Sequence, residues 1–200
     1  MRFFKTNSYD IVRLYINQIG IAIFSLVLLT AAGLLDFDSG SIALSIKVGV
    51  SVFTTLFYLM LIYNVMWECG AKDAIRVASG KVESSTLKGL FMSLFANIPN
   101  FVLSVFSFVT IGLAMLGTAG QLFKSLFAFF NLIMRMHESM YLGMIQGLTT
   151  GLSGDVDFLV ESLLFIIVPV ISIGVSHLGY LLGTKEKKLL SIFTDRSKKN

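Results

Sequence analysis

Charge is what this sequence has least of. Asp, Glu, Lys and Arg make up 14% of its 200 residues, against about 25% in a soluble domain, whose surface must stay wet. So few charges cannot cover a water-facing surface, so lipid must solvate part of the chain. Cysteine is almost absent. Cys69 stands alone, which excludes an internal disulfide and a cysteine-based metal cluster within one chain. No run of like charge forms a nucleic-acid arm. No GxSxG, Walker A or dinucleotide fingerprint occurs, and His137-Glu138 lacks the second histidine of an HExxH zinc site. No catalytic residue, metal or cofactor is expected; a membrane enzyme using His137, Glu138 or His177 is the third reading, and His177 could join the other two only through folding. What is abundant is apolar: 55% hydrophobic residues, 18 of them Phe.

The apolar residues fall into runs. Residues 1–13 form a basic head with Arg2, Lys5 and Arg13. Leu14 to Leu35 is then apolar over the roughly 20 residues that cross a bilayer. It is longer than the 7–15-residue core usual in a signal peptide, so it reads as a span. Asp36 to Ser41 (DFDSGS) reads as a tight polar turn, and Ile42 to Met66 as the second span. Lys47 is its one charge and snorkels toward the headgroups. Ser41, Ser45 and Gly49 recur every four residues, a face on which another helix can approach closely.

Residues 67–88 read as a mixed-charge loop with Lys72, Arg76, Lys81 and Lys88 against Glu68, Asp73 and Glu83. Tyr63 and Trp67 stand at its entry, as aromatic residues do at membrane surfaces. Gly70 and Gly80 bracket a stretch that suits a short surface helix. Gly89 to Leu116 is the third span, interrupted by Asn97, Pro99 and Asn100 near mid-depth. Residues 117–157 hold only half-length apolar runs. Phe158 to Gly183 is the fourth span, with Pro169 near its middle and a GxxxG pair at Gly179 and Gly183. Residues 184–200 form a basic tail.

Charge sets the expected topology. Thirteen of the sixteen Lys and Arg lie in the head, the 67–88 loop and the tail. Positive flanks stay cytoplasmic, so both termini and that loop are expected inside a cytoplasmic membrane. The resulting fold is all-α: a single polytopic bundle of four long spans plus a short helical hairpin over 117–157, outer or re-entrant. The alternative is six spans, with Gln121–Met134 and Met140–Leu152 crossing as very short helices.

Three constellations are candidate sites. Asn97, Pro99 and Asn100 in the third span and Pro169 in the fourth suggest paired broken helices, a pointer to a substrate-binding site at mid-membrane. The plainer reading is a proline kink whose freed backbone groups the asparagines cap. Arg135, His137 and Glu138 form the densest titratable cluster outside the basic segments. Arg135 and Glu138 have the spacing to pair on a helix, and His137 suits a proton relay or a ligand; the plainer reading is a polar face at the membrane surface. Gly143, Gly147 and Gly151, again every four residues, suit close helix packing or a flexible outer segment. Cys69 has no histidine near it in sequence, so a semi-buried small residue fits it better than a nucleophile.

Tyr63 to Asn100 (YNVMWECGAKDAIRVASGKVESSTLKGLFMSLFANIPN) and Glu138 to Gly147 (ESMYLGMIQG) resemble stretches of uncharacterised small integral membrane proteins of Firmicutes-type bacteria. The resemblance implies a bacterial cytoplasmic-membrane protein. It marks Trp67, Gly70, Lys72 and Asp73, and implies no activity. The expected function is a non-enzymatic accessory or assembly subunit. It would use its small-residue faces for helix contacts, and Trp67, Lys72, Arg76, Lys81 and Lys88 for anionic lipid or a partner. Its partners would be the bilayer and either itself or another membrane protein, with no nucleic acid. The alternative is a small transporter or substrate-binding membrane subunit working at Asn97, Pro99, Asn100 and Pro169. In size and hydropathy it resembles the substrate-binding subunits of energy-coupling-factor transporters.

Overall fold

Apolar runs with few helix breakers form long helices, and all regular structure among the described residues is helical. The computed structural model describes residues 2–34, 40–83, 85–117 and 120–187. Most of the Asp36–Ser41 turn and the tail from Lys188, with Arg196, Lys198 and Lys199, lie outside the described residues. The helices are α1 (Arg2–Leu34), α2 (Gly40–Ala78), α3 (Lys88–Ala96), α4 (Ile98–Met115), α5 (Gly120–His137), α6 (Ser139–Thr149) and α7 (Asp155–Thr184). Four are long and apolar enough to cross a bilayer, over Phe3–Gly33, Ala43–Ala78, Ile98–Met115 and Asp155–Thr184. The chain is a four-span, multi-pass membrane bundle with α5 and α6 as an added hairpin.

The two faces of α4 are inverted relative to those of a helix in a soluble protein. Along α4, Asn100, Ser104, Ser107, Thr110, Ile111 and Ala114 are buried. Val102, Val105 and Val109 are 45–46% exposed. Ser25, Ser51, Ser139, Ser162 and Ser172 are fully buried as well. Small polar residues inside and large apolar ones outside is the arrangement expected where lipid is the solvent. Ser107→Leu, which replaces an Oγ lying 3.0 Å from Ser162 Oγ, is expected to cost about 1–3 kcal/mol through overpacking. Val105→Leu on the exposed face should stay within about 0.5 kcal/mol. Thermal unfolding of the two variants in lipid nanodiscs measures the difference.

Two expectations about the spans change. The segment from Trp67 to Ala78 is not a loop. It continues α2, which at 39 residues is about 58 Å long, nearly twice the hydrocarbon thickness. Its charged residues are those of a helix that has left the apolar layer, and no proline ends it earlier. Gly80, at φ +72°, stops it: Gly80 N donates to Val77 O and Lys81 N to Arg76 O, both at 3.0 Å. This is the Schellman pairing that a left-handed glycine permits. The loop is therefore only 79–87. Pro169 likewise does not break its span, because α7 runs through it unbroken. The third span is interrupted as expected, α3 ending at Ala96 and α4 starting at Ile98. Pro99 sits in the first turn of α4, where its missing N–H has no helical partner to lose.

The chain divides into two compact units: residues 1–15, 59–96 and 171–200, and residues 16–58 and 97–170. In the first, α2 and α7 cross at glycines. A Cβ on Gly179 would lie 2.6 Å from Tyr63 O, one on Gly183 would strike Trp67 O, and one on Gly70 would lie 2.9 Å from Thr184 N. The GxxxG pair at Gly179 and Gly183 thus packs as its spacing implies. In the second unit, Gly143 lies against the backbone at Lys47 and against Ser51, and Gly147 against Val48. Gly151 does not share that role. At φ +99° with open space around it, it turns the chain after α6. Gly49 also faces open space, so the contact face of α2 is the Lys47–Ser51 side rather than Ser45 and Gly49.

Candidate functional site

The site lies in the second unit, at the turn between α5 and α6. α5 lies along α4 and α7, with Phe106 and Phe130 stacked at 5.1 Å and Phe127 and Phe158 at 5.3 Å between ring centroids. Lys124 pairs with Asp155 at 3.4 Å, and further along α5 Arg135 pairs with Glu161. Glu138 N still donates to Met134 O at 2.8 Å, which completes the last turn of α5. Glu138 then leaves helical geometry, at φ −113° and ψ 26°, and is the N-cap of α6.

A turn deep among helices must have its backbone satisfied by neighbours. Hydroxyls do this. Ser25 donates to Ser139 O at 3.1 Å and Thr55 to Met140 O at 3.0 Å. Ser139 Oγ donates back to Ala22 O, and Gly143 N donates to Ser51 Oγ at 2.7 Å. Counting helical rise, Phe165 is about 15 Å from the start of α7, and Thr54 about 21 Å from the start of α2.

Glu138 is fully buried at this turn. Ser104 Oγ lies 3.3 Å from its Oε1 and 3.4 Å from Phe165 O. Glu138 Oε2 is buried with no hydrogen-bond partner. Arg135 Nε, Glu161 Oε1, Asp157 Oδ1 and Asn131 Nδ2 are buried atoms without partners on the same elements.

Within the Arg135, His137, Glu138 cluster only Glu138 is fully enclosed, and Arg135 and His137 are half-buried. Arg135 does not pair with Glu138; it pairs across α5 and α7 with Glu161, whose side chain is 3% exposed. No protein-family model, curated protein or solved structure matches the chain. What the site does has to be read from its own atoms. Asn97, Pro99, Asn100 and Pro169 do not form paired broken helices. Asn100 Nδ2 donates to Asn97 Oδ1 at 2.8 Å, while Asn100 Oδ1 is buried without a partner and Pro169 lies inside a continuous helix. His177 belongs to the other unit. Among the described residues, no three of His, Cys, Asp and Glu converge to hold a metal ion.

In the first unit, Asp73 organises a second polar group. Lys88 Nζ donates to its Oδ2 at 2.6 Å and Tyr180 Oη at 3.0 Å, and Arg76 lies 3.6 Å from its Oδ1. Lys88 is thus half-buried and neutralised, not a surface contact for lipid, because Asp73 beside it is buried. Lys72, Arg76 and Lys81 are exposed. Trp67 Nε1 donates to Lys187 O at 2.8 Å. Sequence reasoning passed over Ser104 and Ser107 and gave Asp73 no role. The first two show as a polar stripe at helical spacing within an apolar run. Asp73 carries no such signal.

Proposed function

We propose that this multi-pass membrane protein is a small non-enzymatic carrier. Its mid-membrane site is built round Glu138, on a hairpin that enters and leaves the bilayer from one side. The observation that carries this reading is the buried Glu138 carboxyl, with one oxygen unpartnered; the helical rise from the starts of α2 and α7 supports putting it within the apolar layer. An ionisable group there is costly, and such groups mark ion or solute pathways. This reading puts the site at Glu138 rather than at the Asn97–Asn100 element. The cluster of thirteen Lys and Arg in the head, the 67–88 segment and the tail supports a cytoplasmic-membrane location with both termini inside and the hairpin entering from outside.

A pathway must wet the site at some point in its cycle. In a Cys69→Ala background, Asn131→Cys places a thiol on the buried face of α5. A membrane-impermeant thiol reagent is expected to modify it in liposomes. No modification from either side, over a time in which an exposed Gln121→Cys reacts fully, would remove the carrier reading. The accessory-subunit reading draws on a different observation, the exposed cations Lys72, Arg76 and Lys81. It predicts that a binding partner or anionic lipid is lost from gently extracted protein when these three become Gln.

A further inference from the structure

The groups meeting at Glu138 offer more acceptors than donors. Glu138 brings two carboxyl oxygens, Ser104 on α4 a hydroxyl, and Phe165 on α7 its backbone carbonyl. That carbonyl is available because of Pro169. α7 runs through Pro169 unbroken, yet proline has no N–H to give to the carbonyl four residues earlier, which is that of Phe165. The proline leaves the helix continuous and removes one hydrogen bond from it, at the carbonyl that lies against Ser104. The single hydrogen of the Ser104 hydroxyl serves Glu138 Oε1 or Phe165 O, not both at once. Glu138 Oε2 is buried with no partner. A buried acceptor without a donor is costly, and a cation would satisfy all of these oxygens together.

Their spacing fits one. Ser104 Oγ lies 3.3 Å from Glu138 Oε1 and 3.4 Å from Phe165 O. Hydrogen bonds from a hydroxyl are about 2.5–3.0 Å long, so both separations are long for that purpose. A cation the size of Ca²⁺ or Na⁺ sits about 2.3–2.6 Å from its oxygen ligands, and two ligands at right angles around it are then about 3.3–3.7 Å apart. Charge chooses between the two ions. Glu138 supplies one negative charge, and among the described residues no charged side chain acts on it. Arg135, nearby in sequence, is engaged with Glu161. A monovalent ion therefore leaves the site neutral. Ca²⁺ would leave a buried positive charge, and it needs six to eight oxygens where two carboxyl oxygens, one hydroxyl and one carbonyl are present. K⁺ is larger and would hold the oxygens further apart.

We propose that the Glu138 carboxylate, the Ser104 hydroxyl and the Phe165 carbonyl released by Pro169 form a binding site for Na⁺. The carboxylate supplies the charge, and the hydroxyl and carbonyl fix the ion between α4 and α7; water entering with the ion completes its shell. That Na⁺ is the ion carried rests on the carrier reading, but its binding at these oxygens does not.

The test is binding of radiolabelled Na⁺ to the purified protein in lipid nanodiscs, with choline chloride holding the ionic strength constant. Wild type is expected to bind Na⁺ saturably and to unfold at a higher temperature in NaCl than in KCl. Glu138→Gln, which keeps the side-chain shape without the charge, should abolish both effects. Pro169→Ala restores an N–H for the Phe165 carbonyl. It should weaken Na⁺ binding at least about tenfold, the scale of lost support in metal sites, while its stability in choline chloride is unchanged or higher. No saturable binding by wild type, or binding retained in Glu138→Gln, overturns the site. Unaltered affinity in Pro169→Ala overturns the role of the carbonyl, and displacement of Na⁺ by a lower concentration of Ca²⁺ overturns the choice of ion. If Na⁺ binds as expected while Asn131→Cys stays unlabelled, the carrier reading fails and the Na⁺ site stands. Labelling of Asn131→Cys without Na⁺ binding removes the site and leaves a carrier for another solute.

Discussion

Gly183→Leu is expected to prevent the folded protein from accumulating in the membrane. A Cβ at residue 183 would strike Trp67 O and lie 2.9 Å from Trp67 C and 3.0 Å from Ala71 N. All three atoms are helix backbone and cannot step aside as a flexible side chain would. The crossing is reciprocal, since Gly70 on α2 lies as tightly on α7. Overpacking of a close crossing costs about 3 kcal/mol or more, a large share of the stability of a 200-residue chain. Gly174, on the same helix with nothing within 4 Å, supplies the control. Gly174→Ala should be neutral or stabilise by about 0.5–1 kcal/mol through helix propensity. Thermal stability of the detergent-extracted variants, with Gly183→Ala as the milder change, measures both.

The second large effect is expected at Asp73. Its side chain is 7% exposed and that of Lys88 14%, so the pair is shielded from water, unlike Arg13–Glu68 at 35% and 49%. Asp73→Leu leaves the Lys88 ammonium buried and unpaired and strips Tyr180 Oη of its acceptor. Removing one partner of a buried pair costs about 3–5 kcal/mol. Glu68→Leu, which breaks the exposed pair, should cost at most about 1 kcal/mol. Adding Lys88→Met to Asp73→Leu should restore most of the loss, since both charges are then gone. Equilibrium unfolding of the two single variants and the double variant gives the coupling energy directly; additive losses would mean that the pair is not what holds α2 to the start of α3.

The spans were legible because an apolar run of bilayer length has few rivals as a signal, and the break before Pro99 was legible because proline removes a fixed donor. The length of α2 was not. Glu68, Lys72, Asp73 and Arg76 follow helical phase, but a charged stretch between apolar runs reads equally well as a loop, and what decides between them is Gly70 seating on α7. Glu138 was misplaced for the same kind of reason. Beside Arg135 and His137 it looks like surface, and its burial depends on Ser25, Thr55 and Ser104, residues on three other helices. Gly151 shows the limit of spacing alone: it continues the series of Gly143 and Gly147 yet ends a helix instead of packing one.

Depth at the hairpin turn is the measurement to make. Met136 lies two residues before Glu138 and is 52% exposed, so a nitroxide attached to Met136→Cys in a Cys69→Ala chain faces outward without disturbing the site. In liposomes, collision with dissolved oxygen and with a water-soluble nickel complex reports its depth. A hairpin that re-enters the bilayer to carry Glu138 to mid-membrane predicts frequent oxygen collisions, almost none with nickel, and a position near the bilayer centre. Strong nickel collisions would contradict it, because they would place the turn at an aqueous surface: on the near side as a peripheral hairpin, or on the far side as two further crossings.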